Sequence, residues 1–279
     1  MKFTVITVCL NPGEKLESTL NSILRQTCTD VEVVVKDGGS TDGSVTEWQR
    51  KTARIPDAER VKVYVEKDKG IYDAMNQAMD HVEGEFVLFL NCGDVLYESD
   101  VLERTLKIIE AEAAAGTDCS RLVLYGDTYN EKNQAVIASA PAITGFTCYR
   151  NIPCHQSCIY SAALCKEKPY DLQYKIRADY DHFLWCFYHG KANMYYMGFT
   201  VASYEGGGYS ESRENLQRDR QEHRQITSTY MSKGELFRYR GIMACTLAPL
   251  RSAMAESRVF AGIYHWLKKC VYGRKRSQV

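Results

Sequence analysis

The stretch that most constrains the fold is a buried strand that ends in an aspartate and a glycine-rich turn. Residues 31–35 contain four valines, and such a β-branched run is typical of a strand buried in a parallel sheet. The strand ends at Asp37, and residues 38–43 carry the glycines and small polar residues of a turn. Open α/β sheets bind ligands at the carboxyl ends of their strands, and glycines let a ligand approach the backbone. Asp37 is therefore a candidate binding residue.

The chain begins with a β-α-β pattern. An apolar strand at residues 3–10 precedes an amphipathic helix at 14–26, so we expect a parallel strand pair with a right-handed crossover. Alternating helices and strands follow at residues 44–54, 61–65, 71–82 and 86–90. No dinucleotide fingerprint and no P-loop follows the first strand. The pattern predicts an α/β fold with a mostly parallel sheet.

The composition excludes several classes of protein. Thirty-five basic residues balance thirty-five acidic ones, whereas a general nucleic-acid binder is usually basic overall. No apolar run approaches the length of a membrane span. The eleven cysteines are odd in number, and several fall in apolar strand patterns, so we predict reduced, mostly buried thiols and a cytoplasmic protein.

Two further acidic motifs follow predicted strands. Asp68, Gly70 and Asp73 cluster at the start of the helix at 71–82, and a helix N-terminus favours anions such as phosphate. The acids of this cluster have an alternative explanation, which is that they complement the helix dipole. Asp94 follows the strand at 86–90, and carboxylates hold Mg²⁺ or Mn²⁺ together with substrate phosphates. Its alternative is an ordinary turn aspartate.

Three motifs occur in a fixed order in the chain. Asp37-Gly-Gly-Ser-Thr-Asp-Gly comes first, Asp68-Lys-Gly-Ile-Tyr-Asp-Ala-Met-Asn second, and Phe89-Leu-Asn-Cys-Gly-Asp third. This order resembles that of the family-2 glycosyltransferases of bacterial surface-polysaccharide synthesis, which have the GT-A fold, and the resemblance covers roughly the first 210 residues. It implies a Rossmann-like, nucleotide-sugar-binding α/β domain with a mixed, mostly parallel sheet flanked by helices.

The resemblance implies roles for the motif residues. Asp37 would contact the base of a nucleotide-sugar, the loop from Asp68 through Gly70 to Asp73 would enclose the donor, and Asn91 would also lie at the donor. Asp94 would belong to the acidic motif that holds Mg²⁺ or Mn²⁺. Asn91 and Gly93 replace two aspartates of the commonest form of that motif.

The resemblance also extends to the second half of the predicted domain. Asp179 matches the usual catalytic base in a Glu-Asp-x-Asp segment, with Ala178 in the glutamate position. His155 and Gln156 match a His-Gln pair that faces the reaction centre on the acceptor side. From the residues alone, His155 is equally well explained as a hydrogen-bonded core histidine, and Asp179 as a capping acid.

The implied function is that of an inverting glycosyltransferase. It would move a hexosyl or N-acetylhexosaminyl group from a nucleoside diphosphate-sugar, with uridine the family's commonest base, to a hydroxyl of a glycan or lipid-linked acceptor. Two alternatives stay open. A nucleotidyltransferase would carry a basic, glycine-rich loop after the first strand, which residues 10–13 lack. A non-catalytic binding or scaffold protein would suit the substitutions at Asn91, Gly93 and Ala178.

The composition shifts after Ser210, which predicts a helical extension at residues 211–279 beyond a domain at residues 1–210. Its apolar and aromatic residues and its basic end fit a helix lying on an anionic membrane surface, peripheral to the inner face of the cell membrane. The alternative is an arm that packs on the domain or on the second subunit of a homodimer.

We predict that binding of the full chain to anionic vesicles falls as salt rises. Each basic side chain near such a surface contributes about 1 kcal/mol, and salt at 0.1 M screens that attraction over about 10 Å. Vesicle flotation should show weaker binding when five residues become glutamine: Lys268, Lys269, Arg274, Lys275 and Arg276. A chain that does not float with anionic vesicles at low salt would instead support the packing or dimer arm.

Overall fold

The computed structural model describes residues 2–52, 59–205 and 215–245. The strands are β1 Phe3–Cys9, β2 Val31–Asp37, β3 Val61–Val65, β4 Phe86–Phe89, β5 Val95–Leu96, β6 Leu122–Asn130, β7 Ala135–Ile137, β8 Cys158–Ser161 and β9 Asn193–Tyr204. The α-helices are α1 Lys15–Leu24, α2 Ser44–Thr52, α3 Ile71–Met79, α4 Val101–Ala114, α5 Gly145–Arg150, α6 Ala162–Glu167, α7 Ala178–Tyr188, α8 Leu216–Tyr230 and α9 Lys233–Cys245. The predicted α/β class is confirmed.

The described strands form one mixed sheet with the order β3-β2-β1-β4-β8-β6-β9-β5, and β7 pairs with the end of β6. Strands β3, β2, β1 and β4 are mutually parallel, so their carboxyl ends lie at one edge. β8 then runs antiparallel between β4 and β6, while β9 pairs parallel with β6. The parallel half is the part that the β-α-β pattern predicted.

Helices flank both faces of the parallel half. Phe3, Val5 and Val33 pack in one hydrophobic core with residues of α1, α2 and α4. Side chains alternate along a strand, so Ile6 and Val34 point to the opposite face, where α3 contacts β1 and β2. β1, β2 and β4 are buried on both faces, which is why they are rich in apolar residues, whereas β3 at the edge of the sheet is only partly buried.

The antiparallel pairing of β4 with β8 positions the centre of the site. Phe86 pairs with Ser161 and Leu88 with Ile159, so the chain leaving the carboxyl end of β4 lies opposite the chain entering β8. The segment that holds Asn91 and Asp94 therefore lies beside a short 3₁₀ turn, His155–Ser157.

The segment at residues 130–150 contains the short strand β7 and the short helix α5, neither of which the sequence analysis predicted. Thr144 caps α5 with a reciprocal capping box in which Thr147 replaces the usual glutamate or glutamine, a local signal that the sequence contained. β7 is three residues long and has mostly exposed side chains, so no buried alternation marks it.

The chain divides into two compact units between Tyr230 and Met231. Helix α8 belongs to the first unit and contacts α7. In the second unit, Ser232 and Glu235 form a capping box at the start of α9. The predicted domain boundary after Ser210 falls at residues outside the described ranges and stays a prediction, as does the role of the segment from 246 onward. None of the helices within the described ranges is both long and apolar enough to cross a membrane.

Candidate active site

Asp37 ends β2 and is almost fully buried. Its Oδ1 accepts hydrogen bonds from the Ser40 hydroxyl at 2.6 Å, the Ser40 N–H at 2.9 Å and the Gly39 N–H at 3.2 Å. Gly39 has φ +94°, a conformation that favours glycine, so the turn folds back over the carboxylate. The turn therefore holds the Asp37 carboxylate in position, at the edge of the sheet where the sequence predicted ligand binding.

Asp68 lies directly beside that turn. A Cβ atom on Gly38 would come within 2.7 Å of Asp68 Oδ2, so only glycine fits there without displacing the carboxylate. Asp68 Oδ2 lies 3.5 Å from the Nζ atom of Lys36, whose side chain is fully buried, and Asp68 Oδ1 accepts the Gly70 N–H at 3.0 Å. The first two motifs of the sequence therefore meet in space.

Gly70 and Asp73 shape the entry to α3. Gly70 precedes the helix with φ +126°, where a side chain would be strained. Asp73 Oδ2 accepts the Lys69 N–H at 2.8 Å from within the first helical turn. This contact supports the structural explanation of Asp73 as a helix-start acid, and it also orders the loop beside Asp68.

The third motif meets the His-Gln pair across the β4–β8 junction. Asn91 Nδ2 lies 2.9 Å from His155 Nε2, and Gln156 Nε2 donates to Asp94 Oδ2 at 2.9 Å. Asn91, Asp94, His155 and Gln156 thus form two parallel contacts between the strand ends. They line one cavity of about 520 Å³.

Burial raises the pKa of Asp94 to about 6, because the carboxylate is largely removed from water. The Gln156 hydrogen bond, His155 and Lys15 act in the opposite direction but do not cancel the effect, and Glu205 adds to it. The ionised Asp94 carboxylate is buried and has no direct cationic partner. A bound cation would stabilise its charge.

The residues around Asp94 fit a divalent cation that also contacts substrate. The Oδ1 atom of Asn91 is buried and has no hydrogen-bond partner in the described residues. In that same part of the chain, no three histidines, cysteines or acids gather as a metal-ligand set. A Mg²⁺ or Mn²⁺ ion held by one carboxylate takes its other ligands from phosphates and water, which matches this arrangement.

Asp179 lies in the first turn of α7 and also lines the cavity. Tyr72 OH lies 2.9 Å from its Oδ1, and His155 Nδ1 lies 3.5 Å from its Oδ2. Burial raises the pKa of Asp179, but His155, Tyr72 and the Tyr180 N–H outweigh it, so the net pKa is lowered. Asp179 is therefore held as a carboxylate at neutral pH.

His155 links the two sides of the site. With the Asn91 amide nitrogen facing the ring, His155 Nε2 accepts a hydrogen bond, and Nδ1 carries the ring proton toward Asp179. This assignment of the tautomer follows from the hydrogen-bond network. His155 is consequently a hydrogen-bonded histidine of the kind proposed from the sequence, and it also faces the cavity.

The structure brings some of the predicted site residues together and leaves others apart. Asp94, Asn91, His155, Gln156 and Asp179 line the same cavity. Asp37, Asp68, Gly70 and Asp73 lie around the adjacent ends of β2 and β3 and do not line it. The predicted donor-binding residues therefore form a separate patch at the edge of the sheet, and Asn91 alone of them faces the cavity.

Two functional candidates were missed at the sequence level. Tyr72 lies inside the second motif, but its contact with Asp179 spans 107 positions, and nothing local to the motif predicts it. Arg177 lines the cavity and pairs with Asp219 through bonds of 2.6 and 2.9 Å. A signal for it existed, since it directly precedes the Ala178-Asp179 motif.

Comparison with known proteins identifies the family of this chain. Residues 4–168 match the family model described as "Glycosyl transferase family 2". The chain belongs to this family. The family inferred from the three motifs is confirmed, and with it the GT-A fold.

The glycosyltransferase has relatives of known name. It is 35% identical over 212 residues to a PGL/p-HBAD biosynthesis glycosyltransferase of Mycobacterium bovis, a match that covers 75% of this chain and 79% of the relative. It is 30% identical over 115 residues to the putative teichuronic acid biosynthesis glycosyltransferase TuaG of Bacillus subtilis, covering 40% and 43% of the two chains.

Solved structures share the fold of this glycosyltransferase. S. aureus TarS 1-349 in complex with UDP superposes with a TM-score of 0.62 at 22% identity, over 82% of this chain and 65% of that one. The mannosyltransferase PcManGT from Pyrobaculum calidifontis, in complex with GDP-Man and Mn2+, gives a TM-score of 0.63 at 15% identity, over 95% and 83%. Both comparisons bear on the fold alone.

We predict that Asp94 and Asp179 affect stability in opposite directions. The Asp94 pKa is about 6 when folded and 3.8 otherwise, so the free energy of unfolding falls as pH rises through that window. Asp94→Asn should therefore raise the free energy of unfolding at pH 7.5, by up to roughly 3 kcal/mol, and leave it unchanged at pH 3.5.

Asp179→Asn is the matched comparison. Its lowered pKa means that the ionised carboxylate stabilises the fold above pH 3.8 and that this stability is lost as pH falls. The variant should therefore be less stable than the unmodified chain at pH 7.5, by about 1–3 kcal/mol in urea denaturation.

A destabilised Asp94→Asn variant at pH 7.5 would contradict the assignment of Asp94 as an uncompensated buried charge.

Proposed function

We propose that this glycosyltransferase moves a hexosyl or N-acetylhexosaminyl group from a UDP-sugar to a hydroxyl, with inversion. The observation that carries the proposal is the Asp179 carboxylate, kept ionised by His155 and Tyr72 in the cavity that Asp94 also lines. An ionised carboxylate is a competent general base, and a single base beside the donor is what a direct displacement needs. The UDP in the TarS complex supports uridine as the base.

Asp179 is proposed to take the proton of the acceptor hydroxyl as the new glycosidic bond forms. Its Oδ1 and Oδ2 already face Tyr72 and His155, which fix the orientation of the carboxylate on α7. Both groups donate hydrogen bonds and favour the charged form. The acceptor oxygen would therefore approach a base that is oriented before substrate binds.

Asp94 is proposed to hold Mg²⁺ or Mn²⁺, with the unpartnered Asn91 Oδ1 as a further oxygen. When bound, such a cation neutralises charge on the diphosphate leaving group. Gln156 holds Asp94 Oδ2 in place by its 2.9 Å hydrogen bond, which orients the carboxylate. The proposal places Gln156 and His155 between the donor and the acceptor, consistent with an acceptor-side role.

The donor nucleoside is proposed to lie over the patch formed by Asp37, Asp68, Gly70 and Asp73. Their carboxylates are held by backbone N–H groups, so the patch is fixed before the donor arrives. Asp37 is proposed to contact the base, while the loop at Asp68–Asp73 encloses ribose or phosphate. Asn91 would lie where the donor enters the cavity.

The acceptor is proposed to be a glycan or a lipid-linked saccharide of the cell surface. Relatives named for PGL/p-HBAD and for teichuronic acid biosynthesis support a cell-surface product. The residues from about 235 onward, which lie in the predicted extension at 211–279 and include its basic end, are proposed to bring the enzyme to that acceptor at the cytoplasmic face of a membrane or to form a homodimer.

The proposed donor is tested by a thermal-shift screen of UDP- and GDP-sugars, with and without Mn²⁺. A ligand that binds only the folded state raises the denaturation temperature, so a UDP-sugar with Mn²⁺ should give the largest shift. In Asp94→Asn the Mn²⁺-dependent part of that shift should disappear. The shift must be measured against each variant's own baseline, since the substitution itself changes stability. A full Mn²⁺-dependent shift in Asp94→Asn would remove Asp94 from the metal site.

The proposed base is tested by Asp179→Asn. Donor binding should persist, while the rate of UDP release to acceptor or water should fall on the order of 10²–10⁴-fold, as for loss of a general base. Asp181→Asn is a matched control, because Asp181 lies on the same helix but faces Tyr230 and Lys168 instead of the cavity. Normal turnover in Asp179→Asn would assign the base to another residue.

A further inference from the structure

We propose that Glu222 of α8 is a positioning residue for the catalytic carboxylate, an inference that rests on the proposed role of Asp179. Glu222 is buried although it is charged, and it lies in a helix that follows the whole sheet in sequence. Its carboxylate points at the short segment that leads into α7. Its hydrogen bonds fix the backbone of that segment.

The Glu222 carboxylate accepts hydrogen bonds from three successive backbone N–H groups. Oε1 accepts from Lys175 at 2.9 Å, and Oε2 accepts from Ile176 at 3.0 Å and Arg177 at 2.9 Å. Successive N–H groups that converge on one anion form a rigid concavity. The backbone immediately before Asp179 is therefore fixed from α8 and not by α7 itself, whose N-cap Arg177 makes no side-chain capping bond.

The fixed segment touches the base through Tyr72. The Tyr72 hydroxyl lies 2.7 Å from the Ile176 carbonyl oxygen and 2.9 Å from Asp179 Oδ1. The carbonyl that guides this hydroxyl belongs to the same residue whose N–H binds Glu222. A shift of the segment would therefore act on Asp179 through the Tyr72 hydroxyl that stabilises its charge.

A second contact from α8 also holds this segment in position. Asp219 lies one helical turn before Glu222 and binds the Arg177 guanidinium through two hydrogen bonds of 2.6 and 2.9 Å. Such a two-point pair fixes orientation as well as distance. Glu222 holds the backbone and Asp219 the side chain, so α8 determines where α7 begins.

Substitution of Glu222 by glutamine is a sharp test because the two side chains have the same shape. Glutamine offers one oxygen and one NH₂ group, so at least one of the three N–H groups loses its acceptor and faces a donor. The segment should then move or loosen while the surrounding core is kept. A misplacement of about 1 Å can cost up to about 100-fold in rate.

The experiment measures steady-state UDP release from a UDP-sugar with Mn²⁺ by the full chain. We expect Glu222→Gln to lower kcat by about 10- to 100-fold and to change the donor KM by less than about 2-fold. Tyr230→Phe is the matched control, because it removes another hydrogen bond between α8 and α7, from Tyr230 OH to Asp181 at 3.0 Å, away from the cavity. It should leave kcat unchanged.

A double-mutant cycle with Tyr72→Phe separates positioning from a general loss of stability. If Glu222 acts through Ile176 and Tyr72, adding Glu222→Gln to Tyr72→Phe should cost less than about 3-fold further in kcat. Losses that multiply, an unchanged kcat in Glu222→Gln, or an equal loss in Tyr230→Phe would overturn the inference. An unmodified chain that binds and turns over no UDP-sugar would overturn the proposed function first, and the inference with it.

Discussion

The reversal of strand direction between β4 and β8 is the constraint on which the cavity depends. Because these neighbours are antiparallel, the residues that leave β4 face those that enter β8, and Asn91 and Asp94 meet His155 and Gln156. A parallel neighbour would have presented its carboxyl end here instead. The parallel strands carry the proposed donor patch around Asp37, and the antiparallel pairing of β4 with β8 places two chain segments opposite each other along the cavity.

The carboxylates of Asp94 and Asp179, which both line the cavity, differ in how the cost of their burial is compensated. Asp94 accepts one hydrogen bond from neutral Gln156 and stays destabilised by its lost hydration. Asp179 has two side-chain contacts and a backbone N–H, and its charge is favoured. Groups whose environments move their pKa values apart commonly have separate chemical roles. The uncompensated acid suits a cation that arrives with the donor, and the compensated acid suits a base that must be ionised beforehand.

The sequence predicted the parts of the site that depend on local pattern. Asp37 and Asp94 follow buried strands, so their place at the sheet edge follows from strand direction alone. Tyr72 and Glu222 could not be predicted in the same way, because their contacts join helices that are distant in sequence. Glu222 also lies in a charged run, which resembles a solvated face, and its burial appears only when α8 packs against α7. β7 and α5 escaped prediction because one has mostly exposed side chains and the other is a single short helix.

Helix α8 packs against α7, the helix that carries Asp179. A boundary after residue 210 was based on a shift toward charged composition, yet Asp219 and Glu222 both contact the segment before Asp179. Charged residues on α8 therefore face the site as well as water. A base at the start of a helix needs its first turn fixed from outside, because the N–H groups there have no partner within the helix. Helix α8 supplies that external support, and it belongs to the same compact unit as the sheet.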